Sequence, residues 1–148
     1  MRINGALRKS GLSVAPDCTL RKAAELMDCN AVGALAVVEA GRAVGIVTDR
    51  DLVRRAVANG VSPDARVDSV MSSPVITVRE DADLHDAVTL FGQHAIRRLV
   101  VERDGLFVGV LSADDLLIDL TADLSAVVRP IGAEVLFGHR DSRVPART

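Results

Sequence analysis

The strongest constraint on the fold of this chain is an internal repeat. Residues 14–52 align without a gap to residues 78–116 at an offset of about 64, and roughly a third of the aligned positions are identical. Two copies of one unit therefore build the fold. Clefts at the junction of two related halves are natural binding sites, and matched loops of both copies would line them. The identical pairs include Val14/Val78, Leu20/Leu84, Ala23/Ala87, Leu35/Leu99, Val44/Val108, Gly45/Gly109 and Asp51/Asp115.

The size of the chain indicates that both copies share one globule. A half of about 60 residues buries too little apolar surface to be comfortably stable alone, whereas 148 residues are the size of one domain. Hydrophobic residues make up 49% of the chain and aromatic residues only 2%, so aliphatic side chains and alanine fill the core. Such a core favours layered α/β packing.

The same order of elements occurs in each copy. Apolar residues at helical spacing predict an amphipathic helix over 20–27 and another over 84–91. Two short apolar runs follow each helix, with a turn at Gly41 or at Asp104-Gly105, which predicts a β-hairpin in each copy. A second helix then follows, and a short strand opens each copy. We therefore expect β-α-β-β-α in each half.

The boundaries of the two copies follow from the glycine and proline residues between these patterns. Gly60 is placed to stop the second helix of the first copy, and residues 61–68, with Pro63, form the linker. A short strand over 75–78 opens the second copy, and its counterpart at 11–14 is less clear. The predicted units are residues 7–62, residues 67–121 and a tail over 122–148. The tail lacks a clean period, and its last ten residues are polar and expected to fray.

Charge and cysteine usage limit the class of partner. A net charge of −2 and a pI of about 5.9 give no general attraction to nucleic acid or to an anionic membrane. No apolar stretch approaches the roughly 20 residues that span a bilayer, so we expect a cytoplasmic protein. Cys18 and Cys29 do not have the spacing of a metal site, and both are expected to be reduced.

Two matched segments carry the candidate chemistry, 45–51 (GIVTDRD) and 109–115 (GVLSADD). Each has a glycine, two aliphatic residues, a hydroxyl at Thr48 or Ser112, and an aspartate three residues later. This spacing is typical of a capping box at the start of a helix. An aspartate at such a helix start can also accept hydrogen bonds from ribose hydroxyls, while helix N-termini attract phosphate. Capping and nucleotide binding therefore both remain open, and they are compatible.

The twin motifs belong to a wider resemblance. Together with the segments 95–101 (AIRRLVV) and 45–60 (GIVTDRDLVRRAVANG), they closely resemble tandem cystathionine-β-synthase (CBS) domains over about residues 7–121. The resemblance implies a mixed α/β (α+β) fold of two β-α-β-β-α repeats packed with pseudo-two-fold symmetry. It also implies a regulatory homodimer that binds an adenosine-containing ligand, such as AMP, ADP, ATP, NAD or S-adenosylmethionine, in clefts between the repeats.

Residue roles follow from the resemblance, position by position. Asp51 and Asp115 would hold ribose hydroxyls, and Thr48 and Ser112 would contact ribose or phosphate. Gly45 and Gly109 would permit close backbone packing. The base would rest on short segments in each copy, namely Ser13-Val14 with Val32-Gly33, and Thr77-Val78 with Ile96-Arg97.

The two copies differ in charge. Arg97 and Arg98 can form a fork for phosphate in the second copy, whereas Gly33 and Ala34 occupy the matching positions in the first. Unequal occupancy of the two clefts is the expected consequence. Arg50 could reach a phosphate, although pairing with Asp49 is the more frequent fate of such a residue.

A catalytic role has little support in the sequence. No Ser-His-Asp set, metal-ligand cluster or phosphate-loop signature is present, so we expect a binding module rather than an enzyme, with no metal. An alternative is a ligand-independent dimerisation module that regulates an unknown effector protein.

Overall fold

The computed structural model describes residues 2–7 and 12–137 of the chain. The first half contains β1 (Ser13–Val14), α1 (Leu20–Asn30), β2 (Ala34–Glu39), β3 (Arg42–Thr48) and a helical segment, here called α2, that is α over Asp49–Asp51, π over Leu52–Ala56 and 3₁₀ over Val57–Asn59. The second half contains β4 (Thr77–Arg79), α3 (Leu84–His94), β5 (Arg98–Arg103), β6 (Leu106–Ser112) and α4 (Ala113–Phe137). Short 3₁₀ turns at Ile3–Gly5 and Val67–Ser69 precede the two halves.

Each half has one three-stranded sheet, in the orders β1-β2-β3 and β4-β5-β6. The first strand of each sheet runs parallel to the second, and the second and third strands form an antiparallel hairpin. Ala36 faces Ile46 in the first hairpin, and Val100 faces Val110 in the second. This arrangement confirms the predicted β-α-β-β-α order and the fold class.

The hairpin turns have the conformation that their sequences predict. Ala40-Gly41 and Asp104-Gly105 all have positive φ, between 50° and 77°, as a two-residue turn between right-twisted strands requires. Glycine adopts this backbone without a steric penalty. The backbone N–H of Phe107 donates to the Gly41 carbonyl over 2.8 Å, so the first turn also contacts the second hairpin.

The helices begin and end at matched positions in the two halves. The Thr19 side chain caps α1 by accepting from the Lys22 N–H, and Asp83 caps α3 with a full capping box. Both helices end at an alanine with left-handed backbone, Ala31 and Ala95. Their apolar faces pack on the sheets, and the buried set of α1 is Leu20, Ala23 and Met27.

The two halves exchange short segments with each other. Ile3 and Ala6 lie in the core of the second half, and Val67 and Val70 lie in the core of the first half. The backbone hydrogen bonds are also matched, because the Ile3 N–H donates to the Ala82 carbonyl (3.0 Å) and the Val67 N–H donates to the Cys18 carbonyl (2.7 Å). The structural repeat therefore includes residues 2–6, which the sequence analysis leaves outside both copies.

The region between the copies is more ordered than a linker. The Ala65 carbonyl accepts from the Leu20 N–H (3.0 Å), and Met71 covers Gly45 so closely that a Cβ there would lie 2.9 Å from the Met71 Cγ. Ser72 exchanges two backbone hydrogen bonds with Ile46 on β3. The prediction of a strand over 75–78 is wrong at its start, because β4 covers Thr77–Arg79. The Ile76 carbonyl still accepts from the Val100 N–H on β5 (3.2 Å).

The prediction for the C-terminal tail is also corrected. The tail does not lose regular structure at residue 122, since α4 continues to Phe137; the final residues expected to fray, 139–148, lie outside the described residues, as does Gly11. Arg55 joins α2 to the segment after the first half, because its Nη1 donates to the Val70 and Met71 carbonyls, each over 3.2 Å. Within the ranges described, no helix has the length and apolar character needed to cross a membrane.

Candidate functional site

Two clefts lie where the halves meet. Each combines the hydroxyl and aspartate of one half with the loop that precedes the second strand of the other half. The first cleft, which contains Asp51, has a volume of about 420 Å³, and the second cleft, which contains Asp115, has a volume of about 400 Å³. Volumes of this size are typical of small-molecule sites. The crossed arrangement means that neither half provides a complete cleft alone.

The first cleft joins the start of α2 to the loop before β5. The residues from the first half are Gly33, Ile46, Thr48, Asp49, Arg50 and Asp51. The residues that follow in the chain are Ser72, Ile96, Arg97 and Arg98. Period-2 alternation along β3 places Ile46 and Thr48 on the same face, so an apolar side chain lies next to the hydroxyl.

The second cleft joins the start of α4 to the loop before β2. The residues from the first half are Leu12, Ala31, Val32, Gly33 and Ala34. The residues from the second half are Arg98, Val110, Ser112, Asp114 and Asp115. This cleft is therefore apolar on the side of the first half and polar on the side of the second half.

A complete capping box occupies the start of α2. The Thr48 N–H donates to Asp51 Oδ2 (3.0 Å), and the Asp51 N–H donates to Thr48 Oγ1 (3.1 Å). Asp51 Oδ1 lies 3.8 Å from Arg55 Nε. The capping interpretation is thus confirmed here, and one carboxylate oxygen of Asp51 is already engaged by the backbone.

The start of α4 has only half of this arrangement. The Asp115 N–H donates to Ser112 Oγ over 3.0 Å. The half-buried Asp115 carboxylate, in contrast, forms no hydrogen bond or ion pair with the part of the chain that the structure describes. Both of its oxygens are free to accept hydrogen bonds from a ligand.

The arginines predicted to bind phosphate have different surroundings. Arg97 Nη2 donates to both carboxylate oxygens of Asp114, at 3.0 and 3.2 Å. Arg98 Nη1 donates to the Arg97 carbonyl (3.2 Å), and its side chain lines both clefts. Arg50 lines the first cleft, and within the described ranges no ion pair joins its guanidinium to Asp49.

Gly33 forms the wall that the two clefts share. A Cβ at this position would lie 3.1 Å from Asp49 Oδ2 and 3.5 Å from Arg98 Nη2. The absence of a side chain therefore lets a carboxylate and a guanidinium approach the same backbone. The Gly33 carbonyl also accepts from the Asp49 N–H (2.9 Å), and the matched Arg97 carbonyl accepts from the Ala113 N–H (2.9 Å). These bonds hold each loop against a helix start.

Some of the proposed base-contacting residues lie elsewhere. Val14 and Val78 are buried in the two cores, and Ser13 and Thr77 lie on β1 and β4; none of the four lines either cleft. Several residues that line the clefts were not among the candidates from the sequence, namely Leu12, Ala31, Ala34, Ile46, Asp49, Ser72, Val110 and Asp114. The alignment of Asp114 with Arg50 could have identified Asp114 as a cleft residue.

Comparison with known proteins places this geometry in a family. A family model described as "CBS domain" matches residues 7–58 and 67–121. The CBS domain-containing protein YhcV of Bacillus subtilis is 37% identical over 114 residues, which cover 77% of this chain and 81% of YhcV.

Solved structures show the same architecture. A CBS domain protein from Pyrobaculum aerophilum, crystallised in complex with AMP, has a TM-score of 0.73 and 30% identity; the match covers 82% of this chain and 99% of that one. A protein with CBS domains from Burkholderia ambifaria, provisionally assigned to signal transduction, has a TM-score of 0.74 and 28% identity, with coverage of 83% and 96%.

Proposed function

Because this chain belongs to the CBS domain family, we propose that it is a regulatory module that binds an adenosine-containing ligand in the clefts between its two repeats. The single observation that carries the proposal is the free carboxylate of Asp115, half-buried in a cleft opposite apolar residues of the other half. The ligand is an adenosine-containing molecule of the AMP, ADP, ATP, NAD or S-adenosylmethionine type. The module acts by binding rather than by catalysis.

The second cleft offers a place for each part of such a ligand. Val32 and Val110 present apolar surface to a base, and the Asp115 carboxylate can accept both ribose hydroxyls. Ser112 and Arg98 border the same cleft, where they can donate to a phosphate. The AMP bound to the Pyrobaculum aerophilum protein supports a ligand of this class.

A thermal-shift panel tests this proposal. The panel contains AMP, ADP, ATP, NAD, NADH and S-adenosylmethionine, with GMP as the control for the base. A ligand at about 100 times its dissociation constant adds roughly 2.7 kcal/mol to the free energy of unfolding. We expect a rise in Tm with at least one adenosine compound and a smaller rise with GMP.

Asp115→Ala should weaken binding of the responding nucleotide by about 1 to 3 kcal/mol, the range for losing charge-assisted hydrogen bonds. Asp123→Ala is the matched control, because it removes the same charge from α4 outside both clefts. Unchanged affinity in Asp115→Ala would contradict the role of Asp115. No response to any adenosine compound would contradict the nucleotide proposal as a whole.

A specific observation favours interaction with another chain as a second function. Large apolar side chains on α4 are solvent-exposed at Leu117, Leu120, Leu124, Val127 and Ile131. Their alternating spacing of three and four residues places them on one face of α4, as in a helix that packs against another helix. Exposed apolar surfaces of this kind usually mark interfaces. We propose that a second copy of this chain covers the stripe in a symmetric homodimer. An effector protein and a cytoplasmic location stay predictions from the sequence.

A further inference from the structure

Arg98 is the one cationic side chain that lines both clefts within the described residues. Arg98 is half-buried as a residue, its Nη1 donates to the Arg97 carbonyl, and it forms no ion pair with a carboxylate in those ranges. A guanidinium without a carboxylate partner favours an anionic ligand. Since one guanidinium cannot fully engage two phosphates in separate clefts, the two clefts compete for it.

The clefts are unequal in their remaining charges. The first cleft has Arg50 and Arg97 besides Arg98, against the carboxylates of Asp49 and Asp51. Among the described residues, the second cleft has Arg98 as its one cation, against the carboxylates of Asp114 and Asp115. Over these residues, a phosphate meets a net positive charge in the first cleft and a net negative charge in the second.

The ion pair between Arg97 and Asp114 connects the two clefts. Arg97 lines the first cleft and Asp114 lines the second, and their side chains are 74% and 56% exposed. An ion pair this exposed contributes little to stability, so a phosphate in the first cleft can draw Arg97 away. Asp114 would then lie unpaired beside Asp115, and the second cleft would become more negative.

We propose that the two clefts are negatively coupled for phosphate-bearing ligands. A phosphate in the first cleft engages Arg98 and Arg97, and it thereby weakens the binding of a second phosphate-bearing ligand beside Asp115. A nucleoside without phosphate fills each cleft independently, because it has no charge to compete for Arg98. The inference rests on the proposed nucleotide binding and assigns its regulation to Arg98.

Methyl NMR titrations with AMP and with adenosine test the coupling. The methyl groups of Ile46 and Ile96 report on the first cleft only, and those of Val32 and Val110 report on the second cleft only. The double variant Arg50→Ala/Asp51→Asn lowers the affinity of the first cleft for AMP. Its amide oxygen at position 51 can still accept the capping hydrogen bond. We expect AMP to bind the second cleft of this variant at least about 5-fold more tightly than that of the wild type.

Arg98→Ala is the second variant, and adenosine is the uncharged control ligand. Without Arg98 only the route through Arg97 and Asp114 remains, so changes in the first cleft should alter AMP binding in the second cleft by clearly less than the roughly 5-fold change expected with Arg98 present. Adenosine should bind the second cleft with the same affinity in the wild type and the double variant. An AMP affinity of the second cleft that does not change in the double variant would overturn the coupling and leave nucleotide binding intact. The absence of any methyl shift with AMP and adenosine would overturn both proposals.

Discussion

At the scale of single residues, Asp51 and Asp115 show how matched positions diverge. Asp51 accepts the Thr48 N–H and thereby completes a capping box. Among the described residues, Asp115 contributes to its helix start through its own N–H alone, which donates to Ser112 Oγ. The first aspartate is therefore partly a structural residue, and the second has a carboxylate available for a ligand.

This difference predicts that removing the two carboxylates lowers the free energy of unfolding by unequal amounts. Asp51→Ala should lower the free energy of unfolding by about 1 to 2 kcal/mol, because it leaves the Thr48 N–H without its acceptor. Asp115→Ala should change it by less than about 0.5 kcal/mol, as is usual where no contact is lost. Urea unfolding followed by circular dichroism measures both values. Equal losses in the two variants would contradict the divergence.

Sequence spacing predicts part of this difference. A hydroxyl three residues before an aspartate identifies Thr48-Asp51 and Ser112-Asp115 equally as capping pairs. Only the Asp51 carboxylate accepts the backbone N–H of its capping partner within the described residues. This difference depends on side-chain geometry, which the spacing of a hydroxyl and an aspartate does not predict. The same limit applies to Arg97, whose partner Asp114 lies 17 positions along the chain.

At the scale of elements, α4 departs most from the repeat. It continues 16 residues beyond Thr121, where the predicted second domain ends, to Phe137. Residues 121–131 are all exposed, and an isolated helical segment of this length is only marginally stable in water. The apolar stripe on this segment is the basis of the proposal that a second copy of this chain covers it.

The homodimer proposal predicts that α4 controls the oligomeric state. Leu124→Glu places a charge in the middle of the stripe, at a side chain that is 62% exposed, and should raise the dimer dissociation constant at least about 10-fold, the effect of losing roughly 1.4 kcal/mol. Ser125→Glu is the matched control on the neighbouring face, and it should leave the dimer intact. Sedimentation equilibrium distinguishes them. A wild-type protein that is monomeric at every concentration would contradict the homodimer.

The hairpins and the first helix of each half follow from local signals that agree with the internal repeat. For α4 the two disagree, because a helical spacing of apolar residues crosses the end of the repeat, so a prediction guided by the repeat stops too early. These residues are Leu117, Leu120, Leu124, Val127 and Ile131. Pro130 also argues against a helix, because proline removes a backbone donor.

At the scale of the whole molecule, the exchange of segments joins the halves. Ile3 and Val67 are both fully buried, each in the core of the half to which it does not belong by sequence. Sequence pattern alone cannot reveal this exchange. Ile3 lies in a short segment without a period, and the core that it enters is formed mainly by residues 75 to 113 positions further along the chain, from Val78 to Leu116.

Ile3→Ala should lower the free energy of unfolding by about 2 to 5 kcal/mol, because it opens a cavity in the core of the second half. Leu106→Ala is the control, since this side chain is 48% exposed and its loss should cost less than about 1 kcal/mol. Chemical denaturation followed by circular dichroism measures both. A cost for Ile3→Ala no larger than that for Leu106→Ala would show that the N-terminal segment does not complete this core.

Because of this exchange, the chain could be divided into two fragments that reassemble with each other. The exposed loop over 62–64 divides the chain so that each piece carries the segment that fills the other piece's core. Each fragment would have an incomplete apolar core and would carry the segment that completes the core of the other fragment. Reassembly would then be specific without any engineered partner, and the ligand clefts would form only in the reassembled pair.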